Sequence, residues 1–273
     1  MNVVELQTIV ADPHEGIKGP QVLFARPQPV RLELAEELVK TAYMFRLPIT
    51  LGLEWDGTAV QQVLFAPVIE GKTGGFLACI NKQHTWGWDH LRTWWPVMLS
   101  SPDERNGRGE WLYGFYGLAL WHPYLPLAQT VTLTNPLWRA LGKLEEGEYG
   151  GVYVCLTPQV PGYVWRMIDE LERAGWDRKR LEAARAKRDG YCFSALILLL
   201  GAGVEGFDWS AFQRRVWPAL RVIANYPGQM LLSETPEGLD AIDDAVAAIM
   251  LCRGGFIGQT VLSARDVALL WRV

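Results

Sequence analysis

One short stretch of the chain has the spacing of a phosphate-binding loop. Residues 66–73 read Ala-Pro-Val-Ile-Glu-Gly-Lys-Thr and end in Gly71, Lys72 and Thr73. In such loops backbone N–H groups surround a phosphate, the lysine neutralises its charge and the hydroxyl group contacts magnesium. The same stretch contains a proline without an N–H group, two stiff β-branched residues and a glutamate that would repel phosphate. Gly71, Lys72 and Thr73 are therefore candidate phosphate ligands, and a surface turn is the favoured alternative.

A second candidate group is a cluster of aromatic residues. It consists of Trp86, Trp88, Arg92, Trp94 and Trp95. Tryptophan and arginine are enriched at the centres of protein interfaces. Neighbouring residues on a helix point about 100° apart, so Trp94 and Trp95 are not expected to share one buried face. The cluster predicts either core packing between two halves of the chain or an interface anchor, and carbohydrate stacking is a third alternative.

The histidines and cysteines lack the spacing of a metal or catalytic site. His84 and His90 are six residues apart, which does not place them on one helical face. The cysteines include no Cys-x-x-Cys pair, which indicates free thiols in a reducing compartment. No Gly-x-Ser-x-Gly turn occurs, and the adjacent acidic pairs need not face each other across a cleft. We predict no metal or other cofactor and favour a protein that is not an enzyme.

The charge balance gives no general attraction for nucleic acid. The chain carries 26 basic and 30 acidic residues, a net charge of -4. Residues 173–188 are locally basic, as a phosphate-contacting helix would be. Acidic residues interrupt them and Trp176 is their only aromatic residue. A solvated helix face is therefore favoured, and nucleic acid is a disfavoured partner.

No stretch of the sequence has the pattern of a transmembrane helix. Residues 192–204 are uncharged but too short to span a bilayer, and residues 112–138 are interrupted by three prolines. The N-terminus lacks the basic start and apolar stretch of a signal peptide. We predict a cytoplasmic protein, and peripheral association with a membrane-bound complex remains open.

The candidate phosphate ligands and the tryptophan cluster must be positioned by two blocks of alternating helices and strands. Residues 1–100 form the first block, with a helix over 34–45 and a hairpin of strands 48–55 and 59–68 turning at Asp56-Gly57. A further helix is predicted from Asp89 to Met98. The polar residues 101–110 read as a linker loop. The first block is thus typical of half a ferredoxin-like α/β sandwich.

The second block, residues 111–273, repeats this kind of order. Apolar patterning predicts five strands and four helical regions before the C-terminal helix of this block. The strands are 110–123, 131–133, 150–157 and 191–200, with a short one over 228–234. The helices cover 136–144, 162–188, 208–224 and 238–251. Proline at the first turn after Asn135 and Asp208 as a cap mark two helix starts. We therefore predict two consecutive ferredoxin-like-type α/β sandwich halves with mixed or antiparallel sheets.

The last residues predict a short capped helix. Ser263 with Asp266 three residues later has the spacing of a capping box. Val267, Leu270 and Trp271 then fall on one helical face. The sequence ends on an apolar residue, which is the pattern expected of a hinge that precedes a further domain.

The second block resembles the N-terminal region of conjugative type IV secretion motors and their HerA-like relatives. The matching pieces, in order, are Asn135-Pro136-Leu137, Val152 to Pro158, Tyr191 to Leu200, and Leu262-Ser263 through Leu269. The sequence departs from the family at Arg265-Asp266-Val267, where Glu-Leu is usual, and it has no following P-loop ATPase domain. The resemblance implies a domain that docks onto neighbouring subunits without catalysing a reaction.

The sequence therefore predicts a protein-interaction module of a conjugation-type secretion system. Its expected partners are other proteins, including a second copy of itself or a motor ATPase domain. A structural or assembly protein of a phage or mobile element is the alternative from another class. A P-loop nucleotide-binding protein is a more remote alternative, because only Lys72-Thr73 support it.

Overall fold

The computed structural model describes residues 22–82, 86–88, 94, 112–128, 130–188, 191–203, 207–233, 242–253 and 260–273. These residues form nine strands and eight helices. The strands are β1 (Val22–Pro27), β2 (Ile49–Trp55), β3 (Val60–Pro67), β4 (Trp86–Trp88), β5 (Leu112–Leu120), β6 (Glu148–Pro158), β7 (Cys192–Gly203), β8 (Leu231–Ser233) and β9 (Val261–Ser263). The helices are α1 (Leu32–Met44), α2 (Thr73–Ile80), α3 (Pro136–Leu141), α4 (Pro161–Arg173), α5 (Arg178–Arg188), α6 (Trp209–Ile223), α7 (Ile242–Met250) and α8 (Ala264–Trp271).

All the described strands belong to one antiparallel sheet. Its order is β4-β1-β3-β2-β6-β7-β5-β8, and β9 pairs with the start of β7. The strands β2 and β6 join the two sequence blocks, with Ile49 opposite Leu156 and Trp55 opposite Gly150. The predicted mixed α/β class with an antiparallel sheet is confirmed. The two blocks share a continuous sheet.

The strand order is the same in both blocks when each is counted from its own first strand. The first block reads β4-β1-β3-β2 from the outside inwards, and the second reads β8-β5-β7-β6. Each block thus places its fourth, first, third and second strands in that order. The helices α4 and α5 separate β6 from β7, whereas β2 and β3 are joined by a tight turn in which Gly57 has φ +94°.

Both faces of the sheet are covered by helices. The face covered by α1, α2, α3, α6 and α8 carries the larger apolar core, which includes Leu51, Leu199 and Phe212. The opposite face packs against α7 and the fully buried ring of Trp94. β7 lies between these layers, and all its residues are buried. This explains its uninterrupted apolar sequence.

A row of glycines lets α6 approach the sheet closely. Gly114 pairs with Gly201 across β5 and β7, and Gly201 pairs with Gly150 across β7 and β6. The rings of Trp209 and Phe212 stack 5.2 Å apart over this row. A Cβ atom on Gly201 would lie 2.8 Å from Trp209 and 2.9 Å from Phe212. The aromatic start of α6 therefore requires residues without side chains beneath it.

The helix α8 is buried between the two blocks. Its predicted capping box is present, because Ser263 and Asp266 bond reciprocally. Val267, Leu270 and Trp271 are buried as predicted, but the other apolar residues of the helix are also buried, so the expectation of a single apolar face was too narrow. The indole Nε1–H of Trp271 donates to the carbonyl oxygen of Gly52 at 2.9 Å. The helix is a core element of this fold, and its role as a hinge stays a prediction.

The helices begun by Asn135 and Asp208 are confirmed, with both side chains accepting cap hydrogen bonds. The strand predicted at 131–133 is wrong, because these residues are irregular and exposed, with Leu133 99% exposed. The linker 101–110 and most of the helix predicted from Asp89 lie outside the described residues, and the division into domains stays a prediction.

Candidate functional site

The candidate phosphate loop connects β3 to α2 and uses its polar groups internally. The Thr73 hydroxyl donates to the carbonyl of Pro67 at 2.9 Å and accepts from the N–H of Ile69 at 2.8 Å. The N–H groups of Lys72 and Thr73 donate to the carbonyl of Ile69. The Lys72 ammonium donates to a carbonyl in the turn after α1, 3.4 Å away. These donors are already bonded to acceptors within the protein, and a phosphate role for Gly71, Lys72 and Thr73 stays a prediction.

The tryptophan cluster falls only partly within the described residues. Trp86 is 8% exposed in β4, and Trp94 is fully buried. The backbone of Trp88 lies in β4, whereas Arg92 and Trp95 lie outside the described residues. Burial of Trp86 and Trp94 favours the core alternative. The interface role of the cluster stays a prediction.

A buried carboxyl group lies beneath Trp94. Glu54 in β2 is fully buried, and its Oε2 accepts from the Trp94 indole at 2.8 Å and from the Tyr153 hydroxyl at 2.5 Å. The other oxygen lies 3.9 Å from the guanidinium of Arg26. That oxygen has no hydrogen-bond partner among the described residues. Gly52 provides the space for the Tyr153 ring, because a Cβ there would lie 2.5 Å from it.

Burial raises the pKa of Glu54 to about 7, because water no longer solvates the charged form. Hydrogen bonds from Tyr153 and Trp94, and the charge of Arg26, oppose this rise. The group can therefore exchange a proton near neutral pH, but it is closed to solvent. Glu54 could not be recognised from the sequence, because its environment is built by β1, β6 and Trp94, which are distant from it along the chain.

The buried cysteines are not poised for nucleophilic chemistry. All four cysteines are free thiols, as the sequence predicted; Cys155, Cys192 and Cys252 are buried, whereas Cys79 is only partly buried. Burial raises the pKa of Cys155 to about 12 and the pKa of Cys252 above the usual range of a thiol. Because the thiolate is the reactive form, these two groups stay inert at neutral pH.

A buried ion pair fastens α8 to the end of α5. The Lys187 ammonium lies 3.4 Å from the Asp266 carboxylate, and both side chains are almost completely buried. Lys187 also donates to the carbonyls of Pro123 and Leu125. Asp266 accepts from the N–H of Leu127. Each charge is thus satisfied by further hydrogen bonds, which a buried pair requires.

The sheet ends at β8 in an exposed, partly apolar edge. Among the described residues, β8 pairs with β5 and with no second strand. Trp121 and Met230 lie beside its beginning and are 54% and 49% exposed. The N–H of Trp121 donates to the carbonyl of Met230, which extends the strand pairing by one residue. We call this surface, formed by Trp121 and residues 230–233, the β8 edge.

No model of a known protein family matches this chain, and no curated protein matches it. None of its described helices is long and apolar enough to cross a membrane. Within the same residues, no group of three His, Cys, Asp or Glu side chains is arranged to hold a metal ion. The geometry of the chain itself must therefore support any assignment of function.

Proposed function

We propose that this chain is a non-catalytic protein-interaction module that docks onto other subunits of a larger assembly. The observation that carries this proposal is the β8 edge. A strand with a neighbour on one side offers unpaired backbone groups to a partner chain. The exposed Trp121 and Met230 beside it supply apolar surface of the kind that anchors interfaces.

The proposed family context is the N-terminal region of conjugation-type secretion motors. In support, each block follows the order β-α-β-β-α-β of the ferredoxin-like motif, with α4 and α5 inserted in the second block. We therefore propose that both halves are ferredoxin-like. The Asn135-Pro136-Leu137 element begins α3, and the segment from Leu262 lies in β9 and α8, in the order that the resemblance implies.

Light scattering tests the docking proposal on the full chain. The chain alone and the chain mixed with the ATPase domain of a conjugative secretion motor are compared. We expect a complex in at least one case, and Trp121→Ala with Met230→Ala should weaken it. Val68→Ala is the matched control, because Val68 is 40% exposed in the loop after β3. A strict monomer under both conditions would contradict the proposal.

Nucleotide binding is tested separately by thermal unfolding. If the loop before α2 bound ATP with magnesium, saturating nucleotide would raise the Tm, and Lys72→Ala would abolish the rise. We expect no rise for either protein, because the N–H groups of Lys72 and Thr73 are already bonded within the loop. A rise in the Tm with nucleotide that Lys72→Ala abolishes would show that the chain is a P-loop nucleotide-binding protein and would contradict the proposed function.

A further inference from the structure

A cleft opens between α6 and β8, directly beside the β8 edge. Its volume is about 460 Å³, and its lining consists of Ser210, Gln213, Arg214, Trp217, Pro218 and Ser233. Trp217 and Pro218 form the apolar part, and two hydroxyl groups, an amide and a guanidinium form the polar part. We call this the α6–β8 cleft. A helix and a sheet-terminal strand are the two walls between which extended peptides bind in known recognition domains.

Pro218 adds a backbone acceptor to this cleft. It lies inside α6 and has no N–H group. The carbonyl oxygen of Arg214, four residues earlier, therefore lacks its usual helical donor. Arg214 and Pro218 both line the cleft, so the missing helical hydrogen bond lies in its wall.

The charge of the cleft favours an acidic ligand. α6 contains three arginines and no acidic residue, on a chain whose net charge is -4. The Arg214 side chain is 70% exposed, and its ion pair with the exposed Asp208 spans 3.5 Å. Such an exposed pair contributes little and is readily exchanged for a ligand carboxylate. Arg215, by contrast, is held by Glu148 at 2.5 Å.

The register of β8 shows which backbone groups face outwards. Ala119 lies opposite Leu232, and Trp121 bonds to Met230 in the same register. In antiparallel pairs, hydrogen-bonded and non-bonded positions alternate. The N–H and C=O groups of Leu231 and Ser233 therefore point away from β5. Ser233 itself lines the cleft, so the outward backbone groups of β8 and the cleft are adjacent.

We infer that the α6–β8 cleft binds an extended, acidic peptide segment of a partner protein as an added strand beside β8. This inference rests on the proposed interaction function and names the segment that the module recognises. Alternate side chains of the peptide would enter the cleft, with an acidic one at Arg214 and an apolar one against Trp217. A second copy of the chain is the disfavoured occupant, because pairing two β8 edges would bring two arginine-bearing α6 helices side by side.

A display library of random peptides of roughly ten residues, enough to extend past the cleft, is the probe. The immobilised full chain should enrich peptides in which acidic and apolar residues alternate. An enriched peptide is then synthesised and its affinity measured by fluorescence anisotropy. The same peptide, N-methylated at alternate residues, cannot pair with a strand edge and should not bind.

Three variants locate the binding. Arg214→Glu should raise the dissociation constant about tenfold or more, as expected for loss of a charge-assisted contact. Ser233→Pro removes an outward N–H group without removing a bond to β5, and should also weaken binding. Arg178→Glu is the matched control, because Arg178 is a largely exposed arginine on α5, and it should leave the affinity unchanged.

The outcomes separate the inference from the function on which it rests. The inference is overturned if no peptide is enriched. It is also overturned if neither Arg214→Glu nor N-methylation of the enriched peptide changes the dissociation constant. If the motor domain still binds in the light-scattering experiment, the docking function stands and its surface lies elsewhere. If Ser233→Pro fails to fold, Arg214→Glu and the N-methylated peptide decide the result.

Discussion

At the scale of single residues, the burial of the Glu54 carboxyl group depends both on its strand and on side chains that are distant along the chain. The pattern of β2 predicted a strand correctly, and Gly52 followed by Leu53 and Glu54 gave no sign that position 54 is buried. Its burial depends on Trp94 and Tyr153, which meet it only after the sheet has formed. Sequence spacing cannot reveal such a site, because none of its members are neighbours along the chain.

Glu54 should make stability depend on pH. Burial raises its pKa from 4.5 to about 7, so between these values the folded chain holds a proton that the unfolded chain has released. The free energy of unfolding should therefore fall as the pH rises through this window, by up to roughly 3 kcal/mol. Glu54→Gln should flatten this slope, because glutamine keeps an oxygen for Trp94 and Tyr153 without gaining charge.

Urea unfolding at several pH values between 5 and 8 measures the effect of Glu54. Glu146→Gln, on the exposed turn before β6, is the control and should follow the wild-type profile. Arg26 and Tyr153 face the carboxyl group and are unchanged in both variants. Parallel profiles for Glu54→Gln and the wild type would show that the buried group does not titrate in this window.

At the scale of elements, the helix α6 was predicted from its sequence, but the place where it packs on the sheet was not. Apolar spacing and the Asp208 cap located the helix to within a residue. The glycines that receive its aromatic residues come from three strands, and their alignment depends on the register of β5, β6 and β7. A single glycine in a strand sequence indicates only that the strand is locally less stable or that another group packs closely against its backbone.

A methyl group in the glycine row should therefore destabilise the protein. We expect Gly201→Ala to lower the free energy of unfolding by about 1–3 kcal/mol, because its Cβ would overlap the rings of Trp209 and Phe212. Gly74→Ala in α2 is the control. No atom lies within 4 Å of its Cβ position, so alanine should be neutral or stabilising there. Equal effects of the two substitutions on chemical denaturation would argue against the close packing of α6.

At the scale of the whole molecule, the sequence indicated two blocks but not how they join. The composition and order of elements predicted the α/β class, and the structure confirms it. The pairing of β2 with β6 could not be predicted, because both strands read simply as buried strands. The position of α8 could not be predicted either, since its sequence is compatible with either a surface hinge or a core helix.

The shared sheet predicts that both blocks unfold together. Scanning calorimetry should show one transition whose calorimetric and van't Hoff enthalpies agree. Trp271→Ala should lower the Tm of this single transition, with a loss of about 3–5 kcal/mol, because the ring is 1% exposed and its indole bonds to Gly52. Two separate transitions, of which Trp271→Ala shifts only one, would instead show that the blocks are independent domains.

The placement of α8 also sets the timing of folding during synthesis. Trp271 bonds to Gly52, 219 residues earlier, and the amide of Gln62 in β3 donates to the Trp271 carbonyl at 2.6 Å. Contacts between residues so far apart along a chain form late and slowly. During synthesis on the ribosome, part of the apolar surface around Gly52 and Gln62 therefore stays uncovered until Trp271, 219 residues after Gly52, has been made. We therefore expect the nascent chain to expose apolar surface of the kind that chaperones bind until α8 has emerged.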